Sequence, residues 1–177
     1  STLALHAESD IPWSMQELPI VIVGGGAIGS AIAYFLTLQQ PGVPVVVIER
    51  DPTYAQASSA LSASSIRQQF STAINIALSQ FGIGFLRNLK TELAVGNDQP
   101  DIGLVEDGYL YLATAAGEAV LRENYALQRA HNVDVALLTP DELKARFPWL
   151  NVDDIVLGSL GLSAEGWFDG YLLMASL

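Results

Sequence analysis

Apolar residues along this chain fall into three rhythms. The first is the short unbroken run. Ile20-Val21-Ile22-Val23 and Val45-Val46-Val47-Ile48 are each four β-branched residues in a row, the pattern of a strand buried on both faces. The second rhythm is helical. Ile28, Ala31, Ile32, Phe35 and Leu36 make one stripe, and Gln40-Pro41-Gly42 stops it. Strand, helix and strand together predict a β-α-β unit with parallel strands and a right-handed crossover. A longer stripe of Ile74, Ala77, Leu78, Phe81, Phe85 and Leu89 predicts a second helix. Ser71 or Thr72 would cap it, and Gly82 and Gly84 weaken it.

The third rhythm, alternation, begins after Asn97. Leu104-Val105, a turn at Glu106-Asp107-Gly108 and then Tyr109-Leu110-Tyr111-Leu112 predict a β-hairpin. A helix follows over 116–130, and Val133, Val135 and Leu137 alternate as in an edge strand. Thr139-Pro140-Asp141-Glu142 reads as a capping box with proline at the first helical position. A strand over 155–158 and a last helix from Tyr171, capped by Asp169, complete the reading. His131 falls at a helix end, where a solvated histidine is expected. Trp149, Trp167 and Phe168 are expected in the core, and Asp153-Asp154 in a solvated turn.

These elements imply an α/β class, α+β overall: a Rossmann-like β-α-β lobe with part of an antiparallel-sheet lobe. One β-α-β unit does not complete a parallel sheet, which needs further strands and cover on both faces. The last helix is about two turns of apolar sequence, too short to be stable alone. The chain is therefore expected to be the N-terminal piece of a longer protein. Residues 1–17 would be a polar arm. Residues 18–90 and 155–177 would form the first lobe, incomplete, and residues 95–150 the start of the second. Unfinished sheets leave open edges and apolar faces, so self-association into a homo-oligomer, or aggregation, is the expected behaviour of the isolated chain.

Charge and composition remove several function classes. Nineteen acidic against eight basic residues give a formal charge of −11. A nucleic-acid backbone would be repelled, and no Lys/Arg cluster offsets this. With no cysteine in 177 residues, disulfides, thiolate metal sites and a cysteine nucleophile are excluded, and a reducing, cytoplasmic setting is mildly favoured. His6 and His131 are too few for a histidine-rich metal site. Residues 18–38 carry no charge and resemble a membrane span by hydropathy. Pro19, Gly24, Gly25, Gly26 and Gly29 interrupt that run, which a buried strand, a tight turn and an apolar helix explain better. The first 17 residues lack a basic segment and contain Glu8, Asp10 and Glu17, unlike a signal peptide. No Ser-His-Asp set and no catalytic carboxylate pair is present.

What remains is the glycine turn. Gly24-Gly25-Gly26-Ala27-Ile28-Gly29 is a GxGxxG pattern between a buried strand and an amphipathic helix, the context that gives the pattern meaning. The first glycine permits the turn, the second admits a pyrophosphate, and the third lets helix and strand pack. The helix N-terminus offers free N–H groups and a partial positive charge. Glu49 ends the second strand 25 residues after Gly24. A carboxylate there accepts both hydroxyls of an adenosine ribose and repels a 2′-phosphate, which disfavours NADP. FAD and NAD both fit so far. Ser58, Ser59, Ser62, Ser64 and Ser65 crowd the following loop, which suits a longer contact along a second phosphate and a flavin and tilts the choice to FAD.

Residues 20–71 resemble the D-amino-acid-oxidase-like superfamily of FAD-dependent oxidoreductases, which includes glycine-oxidase-like and sarcosine-oxidase-like members. The resemblance rests on Val21-Ile22-Val23-Gly24-Gly25-Gly26-Ala27-Ile28-Gly29, on Val47-Ile48-Glu49-Arg50, and on the serine loop running into Ser65-Ile66-Arg67-Gln68-Gln69-Phe70-Ser71. Gly108-Tyr109-Leu110-Tyr111-Leu112, the stretch from Leu143 to Leu150 and Glu165-Gly166-Trp167-Phe168-Asp169 extend it to residues 18–177. The resemblance implies that Gly24, Gly26 and Gly29, with the amides of Ala27 and Ile28, hold the FAD pyrophosphate. It places Glu49 on the ribose and Arg50 beside the adenine end. It runs Ser58, Ser59, Ser62, Ser65 and Ile66 under the diphosphate and ribityl chain, and sets Arg67 near the flavin or the substrate cavity. No histidine occupies the 59–62 loop, so the covalent flavin link of some relatives is absent here.

Two positions depart from the pattern. Relatives often carry glycine near Ser64 or Ser65, and proline where Gly170 stands. The activity implied is oxidation of a small amine or amino acid by hydride transfer to flavin N5, with an imine left to hydrolyse. The alternatives are an NAD-dependent dehydrogenase and a non-catalytic subunit that binds an adenine dinucleotide.

Overall fold

The computed structural model describes residues 18–177, so the expected arm over 1–17 lies outside the described residues. The chain divides after Ala57 into two units, each with its own packing.

The first unit is β1 (Ile20–Val23), α1 (Ala27–Gln39) and β2 (Val45–Ile48). β1 and β2 pair in parallel, from Ile20 opposite Val45 to Val23 opposite Ile48. This is the expected β-α-β unit. The cover differs from expectation. Ile22 is buried, but Val23 is 85% exposed, and Val21, Val46, Val47 and Ile48 are also open. One helix covers one face of a two-stranded sheet, and this unit has no second layer of its own. Nor does the Ile28–Ile32 line of α1 form its buried stripe, since both side chains are exposed. The helix meets the sheet at Gly29 instead, its one buried residue. The uncharged run over 18–38 is thus a strand, a turn and a 13-residue helix. No helix among the described residues is long and apolar enough to cross a membrane.

The second unit, Ser58–Ser176, runs β3 (Ser65–Ile66), α2 (Ala73–Glu92), β4 (Leu110–Ala113), α3 (Glu118–Ala130), β5 (Val135–Leu138), α4 (Pro140–Arg146), β6 (Leu157–Gly161), β7 (Gly166–Trp167) and α5 (Gly170–Ser176). Its main sheet is antiparallel in the order β4-β6-β5, with β5 at an edge as its alternation predicts. β3 pairs separately with β7, Ser65 opposite Trp167.

The hairpin expected at 104–112 does not form. Val105 bridges Trp167, and β4 takes β6 as its partner, Leu110 opposite Leu160. Gly108 explains the choice. It sits at φ +90°, and a Cβ there would fall 2.4 Å from the Gly161 carbonyl oxygen. The turn therefore lays the chain against β6 instead of folding it back on itself. The strand expected at 155–158 is β6, shifted to 157–161 and wholly buried.

α2 turns a largely different face inward. Of the expected stripe Leu89 is buried, together with Ile76, Ile83 and Leu86, while Ile74, Leu78 and Phe81 are exposed, Phe81 by 62%. A helix with apolar residues on two sides has two candidate stripes. Packing decides between them, and Ile76 joins Val133 and Val135 in a core ringed by Phe70, Tyr125 and Leu127. The capping box at Thr139 forms as expected. The Glu142 amide donates to Thr139 Oγ1 at 3.3 Å, and the Thr139 amide donates to Glu142 Oε2 at 2.7 Å. Asp169 caps α5 through the Leu172 amide, 2.9 Å from Oδ1. Trp149, 78% exposed, and Trp167 are not core residues, a correction to the sequence reading.

Candidate functional site

The glycine turn after β1 is built for close approach. Gly24 sits at φ +100°, a conformation that costs a side-chain-bearing residue. Its amide donates to the Ile48 carbonyl at 2.8 Å, which holds the turn against the end of β2. At Gly29 a Cβ would lie 1.8 Å from the Gly24 carbonyl oxygen, so this glycine lets α1 sit on the strand. At Gly26 a Cβ would meet nothing within 4 Å. Gly26 is also the N-cap of α1. No side chain caps that end, and no acidic residue lies in its first turn. The first amides of a helix have no intrahelical acceptors, so those of Ala27 and Ile28 are left free beside the open space over Gly26. That arrangement fits a phosphate.

Glu49 stands beside this turn. Its Oε2 accepts from the Gly25 amide at 2.8 Å and its Oε1 from the Asp51 amide at 2.9 Å. These two amides, Asp51 first, hold the Glu49 carboxyl below its ordinary value. The carboxylate is therefore a brace for the glycine turn, and each oxygen keeps a lone pair that a hydroxyl could use. Arg50 follows it and is exposed.

A depressed folded value means that the ionised form favours the fold. The contribution is present above the ordinary carboxylate value and is lost as pH falls through the lowered one. Glu49→Gln should remove that acid-limb dependence. An amide also cannot accept from both neighbours, so FAD affinity at neutral pH should fall by about tenfold or more. Flavin titration and acid melts of the variant against the parent check both expectations.

The serine segment belongs to the second unit. Ser58 is exposed and Ser59 half-buried. Ser59 Oγ donates to Met174 Sδ of α5 at 3.5 Å, and Ser62 Oγ accepts from the Ser64 amide at 3.0 Å. Ser65 and Ile66 are strand β3, not loop. Ser64, one of the two positions near which the family resemblance leads one to expect glycine, has φ 50°, the left-handed conformation that glycine adopts freely. The second departure lies against it. A Cβ on Gly170 would fall 2.2 Å from Ser64 Oγ and 2.6 Å from the Ser59 carbonyl oxygen.

Arg67 follows β3. Its Cζ lies 4.9 Å from the ring centre of Phe70 and 5.7 Å from that of Tyr109, within cation–π range. Its buried Nε has no hydrogen-bond partner. With Ser65, Ile66, Phe70, Asn75 and Ser79 it lines an open cleft of about 440 Å³.

Gly24, Gly26, Ala27, Ile28, Gly29, Glu49 and Arg50 thus gather in the first unit, and Ser58, Ser59, Ser62, Ser65, Ile66 and Arg67 in the second. Sequence reasoning assigned no function to Gln68, Gln69, Ser159 or Glu165. They form a buried polar network, and no spacing rule links residues 90 or more apart.

Comparison with known proteins agrees with this geometry. A family model described as "FAD dependent oxidoreductase" (DAO) matches residues 19–177. "FAD-dependent oxidoreductase domain-containing protein 1" of Bos taurus is 45% identical over 177 residues, covering 98% of this chain and 36% of that protein. The chain therefore spans about a third of the length of the curated relatives it matches. Among solved structures, L-proline dehydrogenase from P. horikoshii superposes with a TM-score of 0.74 at 25% identity, covering 90% of this chain and 40% of that one. Glycine oxidase from Geobacillus kaustophilus superposes with a TM-score of 0.70 at 28% identity, covering 89% and 42%. A GxGxxG turn with an uncapped helix, a carboxylate braced at the end of the next strand, and a family match over nine-tenths of the sequence agree: the chain belongs to the DAO family of FAD-dependent oxidoreductases.

Proposed function

We propose that this chain carries FAD-gripping residues of an enzyme that oxidises a small amine or amino acid. The observation that carries the reading is the N-terminus of α1, uncapped and open over Gly26, with Glu49 fixed beside it. FAD, when bound, supplies the hydride acceptor. Gly24 and Gly26 clear the ground for its pyrophosphate, Gly29 seats α1 against the turn that holds it, and the Ala27 and Ile28 amides donate to it. Glu49 accepts from the ribose hydroxyls, and Arg50 flanks the adenine end. By the resemblance, Ser58, Ser59, Ser62, Ser65 and Ile66 serve the diphosphate and ribityl chain.

Arg67 supplies the substrate class. Its guanidinium is held by aromatic rings, and among the described residues no carboxylate forms an ion pair with it. A guanidinium so placed would bind the carboxylate of an amino acid and orient the carbon–nitrogen bond to be oxidised. Glycine oxidase and L-proline dehydrogenase, the structural neighbours above, carry amino acids in their names, which supports that class. The test is anaerobic addition of glycine, sarcosine, proline and dimethylglycine to the purified full-length protein. The expected result is a flavin spectrum that bleaches with at least one of them. Protein that carries no flavin after FAD loading, or flavin that no amine bleaches, overturns the proposal.

A further inference from the structure

The most enclosed titratable side chain in the second unit is not among the residues assigned to FAD or substrate. Glu165, immediately before β7, is 0% exposed, and forms no ion pair among the described residues. Removing a carboxyl group from water is costly unless donors replace the water. Three do so here. Oε1 accepts from the Gln68 amide at 2.6 Å and from the Gln69 amide at 3.1 Å, and Oε2 accepts from Gln69 Nε2 at 2.9 Å. The main sheet makes room for it. A Cβ on Gly161 of β6 would overlap Glu165 Oε2.

Gln69 is held at its other atoms too. Its Nε2 also donates to the Tyr109 carbonyl at 2.9 Å, and its Oε1 accepts from Ser159 Oγ of β6 at 2.7 Å. Gln68 Nε2 donates to the carbonyls of Ser79 and Ala164, and its Oε1 accepts from Ser79 Oγ. The amides and side chains of this two-residue turn are therefore anchored to α2, to β6, to the chain before β4, to Ala164 or to Glu165. The residue that enters the turn is Arg67. Its own contacts are two ring faces, which attract a cation without fixing its orientation tightly, and its buried Nε is unpaired.

We propose that Glu165 is the positioning residue for Arg67: its carboxylate clamps the Gln68–Gln69 turn and so holds the guanidinium between Phe70 and Tyr109, facing the cleft. The chemistry explains the distance kept. A carboxylate in direct contact would neutralise Arg67 and compete with an anionic ligand. One residue removed, it fixes the backbone and leaves the guanidinium free for a ligand carboxylate. Glutamine cannot substitute. Its single oxygen can serve the two backbone amides, but its NH₂ then meets Gln69 Nε2, donor against donor. The part of this inference that concerns a ligand rests on the proposed amino-acid oxidation. The part that concerns Arg67 does not.

Two measurements on the full-length protein separate them. The first is phenylglyoxal modification of Arg67, followed by peptide mass spectrometry without added ligand. Glu165→Gln should expose the guanidinium and speed modification by about tenfold, the scale of one lost charge-assisted bond. An unchanged rate overturns the proposal. The second is benzoate binding to the FAD-loaded protein, read from the flavin spectrum. Glu165→Gln should weaken it, and should weaken it no further in an Arg67→Ala background. Equal losses in both backgrounds mean a general structural effect and overturn the proposal. If Arg67→Ala leaves benzoate binding intact while Glu165→Gln still speeds modification, the substrate reading fails and the positioning role stands. Should Glu165→Gln not fold, Ser159→Ala removes one anchor of Gln69 and should give a smaller change of the same sign. An unchanged modification rate there also overturns it.

Discussion

A Gly26→Val variant should fold as the parent does and lose FAD. The Cβ position at Gly26 meets no atom within 4 Å, and the residue is an N-cap with extended backbone at φ −67°, which valine adopts readily. Nothing in the first unit opposes the substitution. The space it fills is the open ground beside the free amides of Ala27 and Ile28, where the proposed pyrophosphate would approach the backbone. Overpacking a close contact costs about 1–3 kcal/mol, so affinity should fall roughly a hundredfold by the upper figure. Thermal melts without flavin should overlay those of the parent. Flavin titration against the full-length protein checks the loss. Unchanged affinity would mean that the open N-terminus of α1 is not where the dinucleotide lies.

Gly29→Ala should do the reverse and damage the fold itself. By helix propensity alone the change is favourable, by about 1 kcal/mol, because alanine is the best helix former and Gly29 is inside α1. The contact decides otherwise. The new Cβ would stand 1.8 Å from the Gly24 carbonyl oxygen, 3.0 Å from its carbon and 3.3 Å from Ile22 Cγ2. Two of these are backbone atoms of the turn and cannot rotate away. Relief requires α1 to lift off β1, which also opens Ile22, the one buried side chain of that strand. The net cost should reach about 3 kcal/mol, the upper end for overpacking against an unyielding wall. Urea unfolding and proteolysis within 24–39 measure it. A variant more stable than the parent would show that propensity outweighs the contact.

The contrast between these two glycines was legible in the sequence, because a GxGxxG turn assigns each glycine a task from its place in strand–turn–helix. So was the Thr139 capping box, which four consecutive residues define. Local rules succeed where the partners are close along the chain. They failed on α2, because a helix with apolar residues on two sides gives no local reason to prefer Ile76 and Ile83 over Ile74 and Phe81. They failed on the 104–112 hairpin, because the partner that Gly108 admits, β6, lies about fifty residues further on. The Glu165 network was invisible for the same reason. A glutamate next to a glycine looks like a turn until Gln68 and Gln69, nearly a hundred residues earlier, are seen against it. The exposed faces of β1 and β2 are a different matter. The pattern read there was that of strands with cover on both sides, and their own unit provides it on one.

Ser64 and Gly170 carry a consequence for how this loop can be altered. Glycine at 64 would relax a left-handed residue and remove the hydroxyl that a side chain at 170 would meet. A proline or alanine at 170 with Ser64 still present would drive its Cβ into Ser64 Oγ and the Ser59 carbonyl. Glycine at 64 would clear the hydroxyl but leave the Ser59 carbonyl oxygen 2.6 Å from that Cβ, so a side chain at 170 also requires the segment carrying Ser59 to shift. Two positions 106 residues apart in the sequence thus share one small space, and substitutions at 64 and 170 are expected to be non-additive.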